Sequence, residues 1–405
     1  MYAFFCYLCV IKNHIFMKEI ASGIRYIGVD DLDLDLFESQ YIIPEGMSYN
    51  SYLVEGEKVA ILDTVDKRKA DQWLEGLTEA LEGKTPDYLI VHHMEPDHSG
   101  AIKELCARYP SLTIVATAMA IKFLGQFQPG ESFKTMAVKE GDVLDLGGKT
   151  LKFFTAPMVH WPEVMVSFEE STGTLFSADA FGKFGALSKT AFWADEDDWA
   201  CEARRYYFNI CGKYGPQVSA LLKKLPAVKM IAPLHGPLMR NDLSEYLRLY
   251  GIWSGYNVES EGVMVAYASI HGGTKAVAEH FAELLKAKGC PKVVLTDLTR
   301  DDRAEAIEDA FRYGTLVVAA ASYDAGLFTP AYDFLHSLQM KGWQKRRVGL
   351  IENGTWAPSA GRVMKEMFSQ MKDITFVGEL VTIKSVMKEE DAPALEALAG
   401  AIMAS

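Results

Sequence analysis

Residues 88–100 read Tyr-Leu-Ile-Val-His-His-Met-Glu-Pro-Asp-His-Ser-Gly, an apolar run followed at once by three histidines and two carboxylates. A short apolar run that ends in polar residues is typical of a buried strand. Imidazole and carboxylate groups are common ligands of protein-bound metals, and they seldom cluster this densely without one. The stretch therefore predicts a metal site at the end of a strand.

Alternation along this segment suggests which side chains meet the metal. His93, Glu95 and Asp97 occupy every second position, so in an extended chain they point to one side, and His98 follows at the start of a helix predicted for residues 99–109. The alternative is a polar loop in which Asp97 or the next serine only caps that helix.

Three further ligand-type residues also follow strand-like runs. They are His160 after residues 151–159, Asp179 after residues 175–178, and His235 after residues 230–234. Four of the nine histidines thus belong to one set. We expect four strand ends to converge on a single site.

The pattern resembles the metallo-β-lactamase superfamily, whose motif is His-x-His-x-Asp-His followed by a later His, Asp and His. Glu95 stands here at the second histidine of the motif. A harder, anionic oxygen ligand shifts metal preference from zinc toward iron. In this respect the chain is similar to the flavodiiron proteins, also called A-type flavoproteins, and the resemblance implies a metallo-β-lactamase-like αββα sandwich in the first half.

The resemblance also implies a division of the ligands between two irons that share Asp179. One iron would take His93, Glu95 and His160, and the other Asp97, His98 and His235. His98 matches a histidine that turns away from the metal in some members. The diiron centre itself would be catalytic, with no separate acid or base assigned.

A flavodiiron protein requires a flavodoxin-like module downstream, and a strand at residues 263–267 opens one. The polar loop and amphipathic helix that follow can wrap a phosphate with backbone N–H groups. The loop lacks the lysine of a nucleotide-triphosphate P-loop, which favours a monophosphate such as FMN. The predicted contacts in this loop are Ser269, His271, Gly272, Gly273 and Thr274.

Two more loops follow the predicted strands at residues 316–321 and 348–351. Ligands of open α/β sheets bind at this carboxyl edge. Tyr323 and Trp356 offer aromatic faces to a flavin ring, the alternative being ordinary packing under a loop. The predicted contacts are Ser322, Tyr323, Asp324, Asn353, Gly354, Thr355, Trp356 and Ala357. Five βα units make this half a doubly wound, five-stranded parallel sheet.

A length of 405 residues favours two domains. We expect a diiron domain at residues 17–255 and an FMN-binding domain at residues 260–405. Residues 1–16 are apolar but too short to span a bilayer, and we expect them to be an over-extended gene reading without function.

The net charge of −13 argues against a nucleic-acid partner. Four of the six cysteines, Cys106, Cys201, Cys211 and Cys290, show no disulfide rhythm, which favours reduced thiols in the cytoplasm, and no membrane segment is expected. Cys6 and Cys9 form only one C-x-x-C pair, whereas a rubredoxin site needs two. The resemblance therefore implies electrons from a separate donor, a rubredoxin or a reduced deazaflavin.

The resemblance further implies reduction of O2 to water, of NO to nitrous oxide, or of both, to remove these gases in an anaerobe. It implies a head-to-tail homodimer or a dimer of dimers, which brings the FMN of one chain to the irons of the other. Two alternatives stay open: a zinc hydrolase with a fused flavodoxin-like domain, and an electron-transfer flavoprotein with a vestigial metal site.

Overall fold

The structure, a computed structural model, describes residues 17–404. The segment 1–16, for which we expect no function, lies outside the described residues. Within residues 17–404, no helix is both long and apolar enough to cross a membrane.

Two large sheets and two small two-stranded sheets form the first half of the described chain. The strands are β1 Lys18–Ala21, β2 Ile24–Tyr26, β3 Val29–Asp31, β4 Leu36–Phe37, β5 Tyr41–Ile42, β6 Met47–Tyr49, β7 Tyr52–Glu55, β8 Val59–Leu62, β9 Tyr88–Ile90, β10 Thr113–Thr117, β11 Thr135–Val138, β12 Val143–Asp145, β13 Thr150–Thr155, β14 Met165–Glu169, β15 Thr174–Phe176 and β16 Met230–Ala232. The helices are α1 Ala70–Leu81, α2 Pro96–Ser99, α3 Ile102–Arg108, α4 Ala118–Phe127, α5 Trp199–Ile210, α6 Gly215–Lys224 and α7 Ser244–Ser254.

The first sheet has the order β1-β2-β7-β8-β9-β10-β11 and the second the order β12-β13-β14-β15-β16. Apolar side chains from both sheets share one core, in which Ile90 and Val115 of the first sheet join Phe153 and Phe176 of the second. Burial of these apolar faces holds the sheets together. This is the predicted lactamase-like sandwich, and strand ends of both sheets supply its metal-type residues.

The second half is a parallel sheet with helices. Its strands are β17 Ser260–Ala268, β18 Val293–Asp297, β19 Tyr313–Tyr323, β20 Gly326–Leu327, β21 Arg346–Asn353, β22 Ile374–Phe376 and β23 Val381–Ile383. Its helices are α8 Gly273–Ala287, α9 Arg303–Arg312, α10 Thr329–Met340, α11 Ala360–Ser369 and α12 Ala392–Met403. The order β18-β17-β19-β21-β22 is that of a flavodoxin-like sheet. The predicted doubly wound module is confirmed.

Several predicted element ends were wrong. β13 ends at Thr155 rather than at residue 159, and β16 ends at Ala232 rather than at residue 234. Pro157 and Pro233 follow these ends, and proline has no N–H to extend a ladder. β15 likewise stops at Phe176, two residues early. His160, Asp179 and His235 therefore lie in loops beyond the strands.

The helix predicted for residues 99–109 was also wrong. The chain forms a single turn, α2, and then a separate helix, α3, on the other side of Gly100. Pro96 fits the first position of a helix, so helical structure starts three residues earlier than expected. A Cβ at Gly100 would come within 2.6 Å of the Lys67 nitrogen and of the Pro96 oxygen, so only glycine fits there.

A buried arginine joins the two halves of the chain. Arg204 of α5 binds Glu259 with two nitrogens, at 2.7 and 2.6 Å, and also binds Glu308 of α9. Glu259 precedes β17 and accepts a further hydrogen bond from Trp253. Burial raises the pKa of Glu308 to about 8 against the opposing effect of Arg204. The guanidinium thus pairs with Glu259 and opposes the protonation of Glu308 that burial favours, at a site where these two side chains are only 8% and 3% exposed.

We expect Arg204→Met to lower the free energy of unfolding by about 3 kcal/mol, because removing one partner leaves buried carboxylates unpaired. Urea denaturation followed by circular dichroism measures the effect. The matched control is Arg248→Met, whose ion pair with Glu245 is exposed and should contribute little to stability. Equal effects of the two variants would contradict a central role for Arg204.

Candidate metal centre and flavin edge

Seven side chains form two adjacent groups at the ends of the sandwich strands. One group contains His93, Glu95, His160 and Asp179, and the other Asp97, His98 and His235. Within each group the ligand-type atoms all lie within 4.8 Å of one another. The structure thus brings together every residue predicted as a metal ligand.

The local chain path explains how neighbours in sequence reach different groups. β9 ends at Ile90 and places His93 and Glu95 in the first group. The helical turn α2 then rotates Asp97 and His98 into the second group. The prediction that Asp97 continues the extended alternation was therefore wrong, because Pro96 starts a helix.

Asp179 stands between the two groups. Its Oδ2 lies 3.4 Å from His93 Nε2 and 3.3 Å from His160 Nε2. Its Oδ1 lies 3.3 Å from His98 Nε2 and 3.6 Å from His235 Nε2. One carboxylate therefore presents an oxygen to each group, as a shared ligand would.

The remaining contacts within each group are equally short. Glu95 Oε2 lies 3.1 Å from His93 Nε2 and 3.0 Å from His160 Nε2. His235 Nε2 lies 3.1 Å from Asp97 Oδ2 and 3.0 Å from His98 Nε2. The structure therefore turns His98 toward the second group.

The site lacks protein partners for its own acceptors. Both Asp97 carboxylate oxygens and Asp179 Oδ2 are buried without a hydrogen-bond partner, although imidazole nitrogens lie close by. Such orphaned buried oxygens are costly unless a cation binds them. A set of four histidines and three carboxylates fits two metal ions, and its high oxygen content suits iron.

Protonation is the way in which the metal-free chain balances these charges. Burial would lower the pKa of His160, but the carboxylates of Asp179 and Glu95, at 3.3 and 3.0 Å from its Nε2, raise it to about 9. Burial would raise the pKa of Glu95, but hydrogen bonds from His160 and His93 lower it to about 2. A proton on His160 would thus offset part of the negative charge of Asp179 and Glu95.

A second layer, which the sequence analysis missed, holds the ligands in place. Glu163 Oε1 accepts hydrogen bonds from His93 Nδ1 at 2.7 Å and from the Met94 nitrogen at 2.9 Å. His235 Nδ1 lies 2.7 Å from the Ser48 carbonyl. These contacts leave both Nε2 atoms free for a metal and fix the ring orientations. The one sequence signal that could have indicated Glu163 was its position, three residues after the ligand His160.

His92 faces away from the site. It lies between Asp63 and Ser167, and its backbone N–H donates to Asp63 Oδ1 at 2.7 Å. The two adjacent histidines of the motif therefore have different roles, one structural and one in the metal centre.

Tyr206, which the sequence analysis also missed, donates a hydrogen bond from its hydroxyl to Asp179 Oδ1 at 3.1 Å.

The flavin-type loops meet at the carboxyl edge of the parallel sheet, as predicted. The first loop ends in Gly272 with a left-handed φ of 90°, and its N–H donates to Ser269 Oγ. No side chain caps the first turn of α8, so its N–H groups are open to an anion. Of the other predicted residues in this loop, His271 is exposed and Thr274 is buried.

The aromatic side chains of the other two loops are exposed. Trp356 is 90% exposed and Tyr323 is 48% exposed, with Phe328 the ring nearest to Tyr323. Packing under a loop does not account for Trp356. Open helix N–H groups beside exposed rings fit the phosphate and the ring of FMN. The other residues predicted at these loop tips, Asp324, Thr355 and Ala357, are exposed.

Some predicted flavin residues have structural contacts instead. Ser322 Oγ accepts hydrogen bonds from the backbone N–H groups of Ser359 and Ala360. Asn353 exchanges two hydrogen bonds with the backbone of Ser385, in a fourth loop that the sequence analysis missed. A Cβ on Gly273 would lie 2.2 Å from the Ser385 oxygen.

Gly354 is restricted in the same way, because a Cβ there would lie 2.9 Å from Pro358 Cα. These two glycines permit loop packing, and that requirement is independent of any phosphate.

Comparisons with known proteins agree with this architecture. Residues 47–236 match the model of the ODP family beta lactamase. Coenzyme F420H(2) oxidase of Methanothermobacter marburgensis is 34% identical over 323 residues, which cover 76% of this chain and 78% of that protein. The rubredoxin oxygen:oxidoreductase of Desulfovibrio gigas superposes with a TM-score of 0.89 at 26% identity, covering 95% of this chain and 97% of that one.

The chain belongs to the flavodiiron protein family. This flavodiiron chain also matches a putative diflavin flavoprotein of Nostoc at 34% identity, over 83% of its own length and 58% of the relative's. It spans about half to three-fifths of the length of the cyanobacterial relatives. Flavodiiron proteins carry a non-haem diiron centre and FMN, and the two sites described above fit these groups.

Metal affinity of the metal-free protein should rise with pH up to about 9, because a metal must displace the His160 proton. The folded pKa exceeds the ordinary value of 6.5, so the proton's contribution to stability is complete below pH 6.5 and is lost as pH rises through about 9. Anaerobic competition of Fe²⁺ with a chelating dye measures the affinity. The variant His160→Asn should show a shallower pH dependence, and an unchanged slope would contradict this assignment.

Trp356→Ala should weaken FMN binding by about 1 kcal/mol, or roughly fivefold in Kd, because an exposed aromatic face for the ring is removed. Quenching of FMN fluorescence on binding measures Kd. Stability should not change, since Trp356 is 90% exposed. Met340→Ala, at another exposed site of the module, is the control, and equal FMN affinity of the two variants would contradict the assignment.

Proposed function

We propose that this flavodiiron chain is an oxidoreductase that reduces O2 to water, NO to nitrous oxide, or both, with electrons that enter through FMN. The observation that carries the proposal is Asp179, which faces two complete ligand groups in a chain that also has a flavin-type sheet edge. Removal of these gases in an anaerobe is the proposed role.

Relatives named for each reaction support both substrates. The Methanothermobacter relative is named as an oxidase, and a relative from Shigella flexneri, 27% identical over 88% of this chain, is named as an anaerobic nitric oxide reductase flavorubredoxin. The alternative of a zinc hydrolase gains no support from these names, nor from Glu95 in the motif.

We assign the metal ligands as two sets around a shared Asp179. His93, Glu95 and His160 would hold one iron, and Asp97, His98 and His235 the other. The irons would supply electrons to a bound diatomic molecule. The protein would orient the two irons through their histidine ligands. Glu163 fixes His93, and the Ser48 carbonyl fixes His235.

A small cavity beside the ligands suits a diatomic substrate. Its volume is about 270 Å³, and its walls combine apolar side chains such as Leu34 and Phe37 with charged ones, including Arg68 and the ligands Glu95 and Asp97. A space of this size next to the ligands leaves room for a small uncharged gas.

We propose residues 17–255 as the diiron module and residues 260–405 as the FMN module. FMN would bind with its phosphate at the start of α8 and its ring between the loops that carry Tyr323 and Trp356. We propose all the predicted flavin-contact residues as FMN contacts. Ser322, Gly273 and Gly354 would contribute through their backbone, because their side chains or Cα atoms have the structural contacts described above.

The two sites lie in different modules, so electron transfer requires a close approach of FMN and irons. We propose a head-to-tail homodimer, or a dimer of such dimers, in which the FMN of one copy reaches the irons of the other. An open cavity of about 440 Å³ beside His160, lined by Trp161, Phe123 and Phe127, offers an apolar approach for the ring.

The proposed electron donor is a separate protein or cofactor, a rubredoxin or a reduced deazaflavin. The relatives named for F420H(2) and as flavorubredoxin support these two donor classes. A cytoplasmic location is proposed because the four described cysteines are free thiols, as expected in a reducing compartment.

The test is anaerobic turnover of the reduced protein with O2 and NO in parallel, with iron, zinc and FMN quantified on the same sample. We expect two irons and one FMN per chain and consumption of at least one gas. The ratio of the two rates identifies the preferred substrate. Zinc in place of iron, with neither gas consumed after iron reconstitution, would overturn the proposal.

A further inference from the structure

A tight hairpin, formed by β4 and β5, holds a carboxylate beside the metal cavity. Leu36 pairs with Ile42 and Phe37 with Tyr41, so Glu38 lies at the tip. Phe37 packs edge-on against the ring of the ligand His235 at 5.3 Å. Glu38 itself lines the cavity of about 270 Å³ together with Glu95 and Asp97. The hairpin therefore presents an additional acid at the metal site.

The backbone at this tip is unfavourable for the residues it contains. Glu38 and Ser39 both have left-handed φ angles, 48° and 57°, and the Gln40 N–H donates to the Phe37 carbonyl. This is a turn of the primed type, in which glycine or asparagine is favoured. A glutamate here is costly to the fold, and such strain is found mainly at functional positions.

The hydrogen-bond partner of Glu38 lines a second, larger space. Gln40 Nε2 donates to Glu38 Oε2 at 3.1 Å, and Gln40 lines a cleft of about 550 Å³ between the two modules. The cleft extends past Tyr41 and Lys341, whose amine binds the Tyr41 hydroxyl at 3.2 Å and the Asn209 carbonyl at 2.8 Å. Glu38 is thus positioned between a solvent-accessible cleft and the substrate cavity.

The proposed reactions need protons at the substrate. Reduction of O2 to two waters takes four electrons and four protons, and reduction of two NO to nitrous oxide and water takes two of each. The electrons come from FMN. In the proposed dimer the partner's flavin occupies the open side of the site, so protons need a route that avoids it.

We propose that Glu38 relays protons from the interdomain cleft to the substrate oxygen, an inference that rests on the proposed function. In each cycle the O–H bond of the Glu38 carboxyl breaks as an O–H bond forms on the reduced oxygen. A water in the cleft then returns a proton to the carboxylate. Gln40 orients the carboxyl and carries no proton itself.

The charged and titratable groups around Glu38 come from every neighbouring element. They are the ligands Glu95, Asp97 and His160, the cavity residues Tyr49, Asp66 and Arg68, the hairpin residue Tyr41, Lys341 at the end of α10, and Cys211 after α5. Glu38 is exposed to solvent, and it lies close enough to Glu95 for the two carboxylates to repel each other. The amide of Gln40 is its one side-chain hydrogen-bond partner in the described chain.

The experiment compares Glu38→Gln with the wild-type protein after both are loaded with iron and FMN. We expect kcat for gas consumption to fall at least tenfold, with an increased solvent isotope effect, and formate to restore part of the rate as an added proton donor. Iron content, FMN content and the rate of flavin reduction should not change. Proton uptake on anaerobic reduction of the diiron centre, measured with an indicator dye and counted apart from the protons that FMN takes up, should slow in the variant.

Two further variants separate the relay from a structural role. Glu38→Gly relieves the left-handed strain, so a structural role predicts full activity and equal or higher stability, whereas the relay predicts the same loss as Glu38→Gln. Glu45→Gln removes an exposed carboxylate a few residues further on and should behave as wild type.

An active wild-type protein together with a fully active Glu38→Gln variant would overturn the relay alone. A wild-type protein that consumes neither gas would instead overturn the proposed function.

Discussion

The position of Asp179 is the constraint on which the rest of the site depends. Its two oxygens face separate histidine groups, 3.3 Å from His160 on one side and 3.3 Å from His98 on the other. A buried anion of this kind requires cations on both sides, and the fold supplies imidazoles from both sheets to hold them. The sandwich, the α2 turn and the loops after β13, β15 and β16 all serve to deliver side chains to this carboxylate.

The same physical rule applies at the join between the modules. Arg204 compensates Glu259 and Glu308, and Arg205 beside it binds Asp302 at the start of α9. Charges buried between domains are tolerated only when they are paired with good geometry. Because both arginines come from α5, which also carries Tyr206 to Asp179, one helix contacts the metal centre and fixes the second module.

Much of this architecture could be predicted from local sequence because ligand chemistry and strand patterns are local properties. Residue types and their spacing indicate the second module, in which strands and helices alternate. They also indicate the seven ligand-type residues and the aromatic side chain of Trp356 at a loop. The exact ends of β13 and β16 could not, since Pro157 and Pro233 were read as parts of continuous apolar runs. Glu163, Ser48 and Ser385 were missed because their roles depend on long-range contacts, and spacing along the chain gives no signal for these.

The opposite orientations of His92 and His93 have an evolutionary consequence. Both lie just after β9, and a shift of one residue in that strand would either move His92 into the place of His93 and Val91 into that of His92, or move His93 into the place of His92 and Met94 into that of His93. Either shift leaves one of the two places without an imidazole. An insertion or deletion of a single codon between Ile90 and Glu95 would therefore abolish the site outright. This segment can diverge only by substitution, while loops elsewhere in the chain are free to change length.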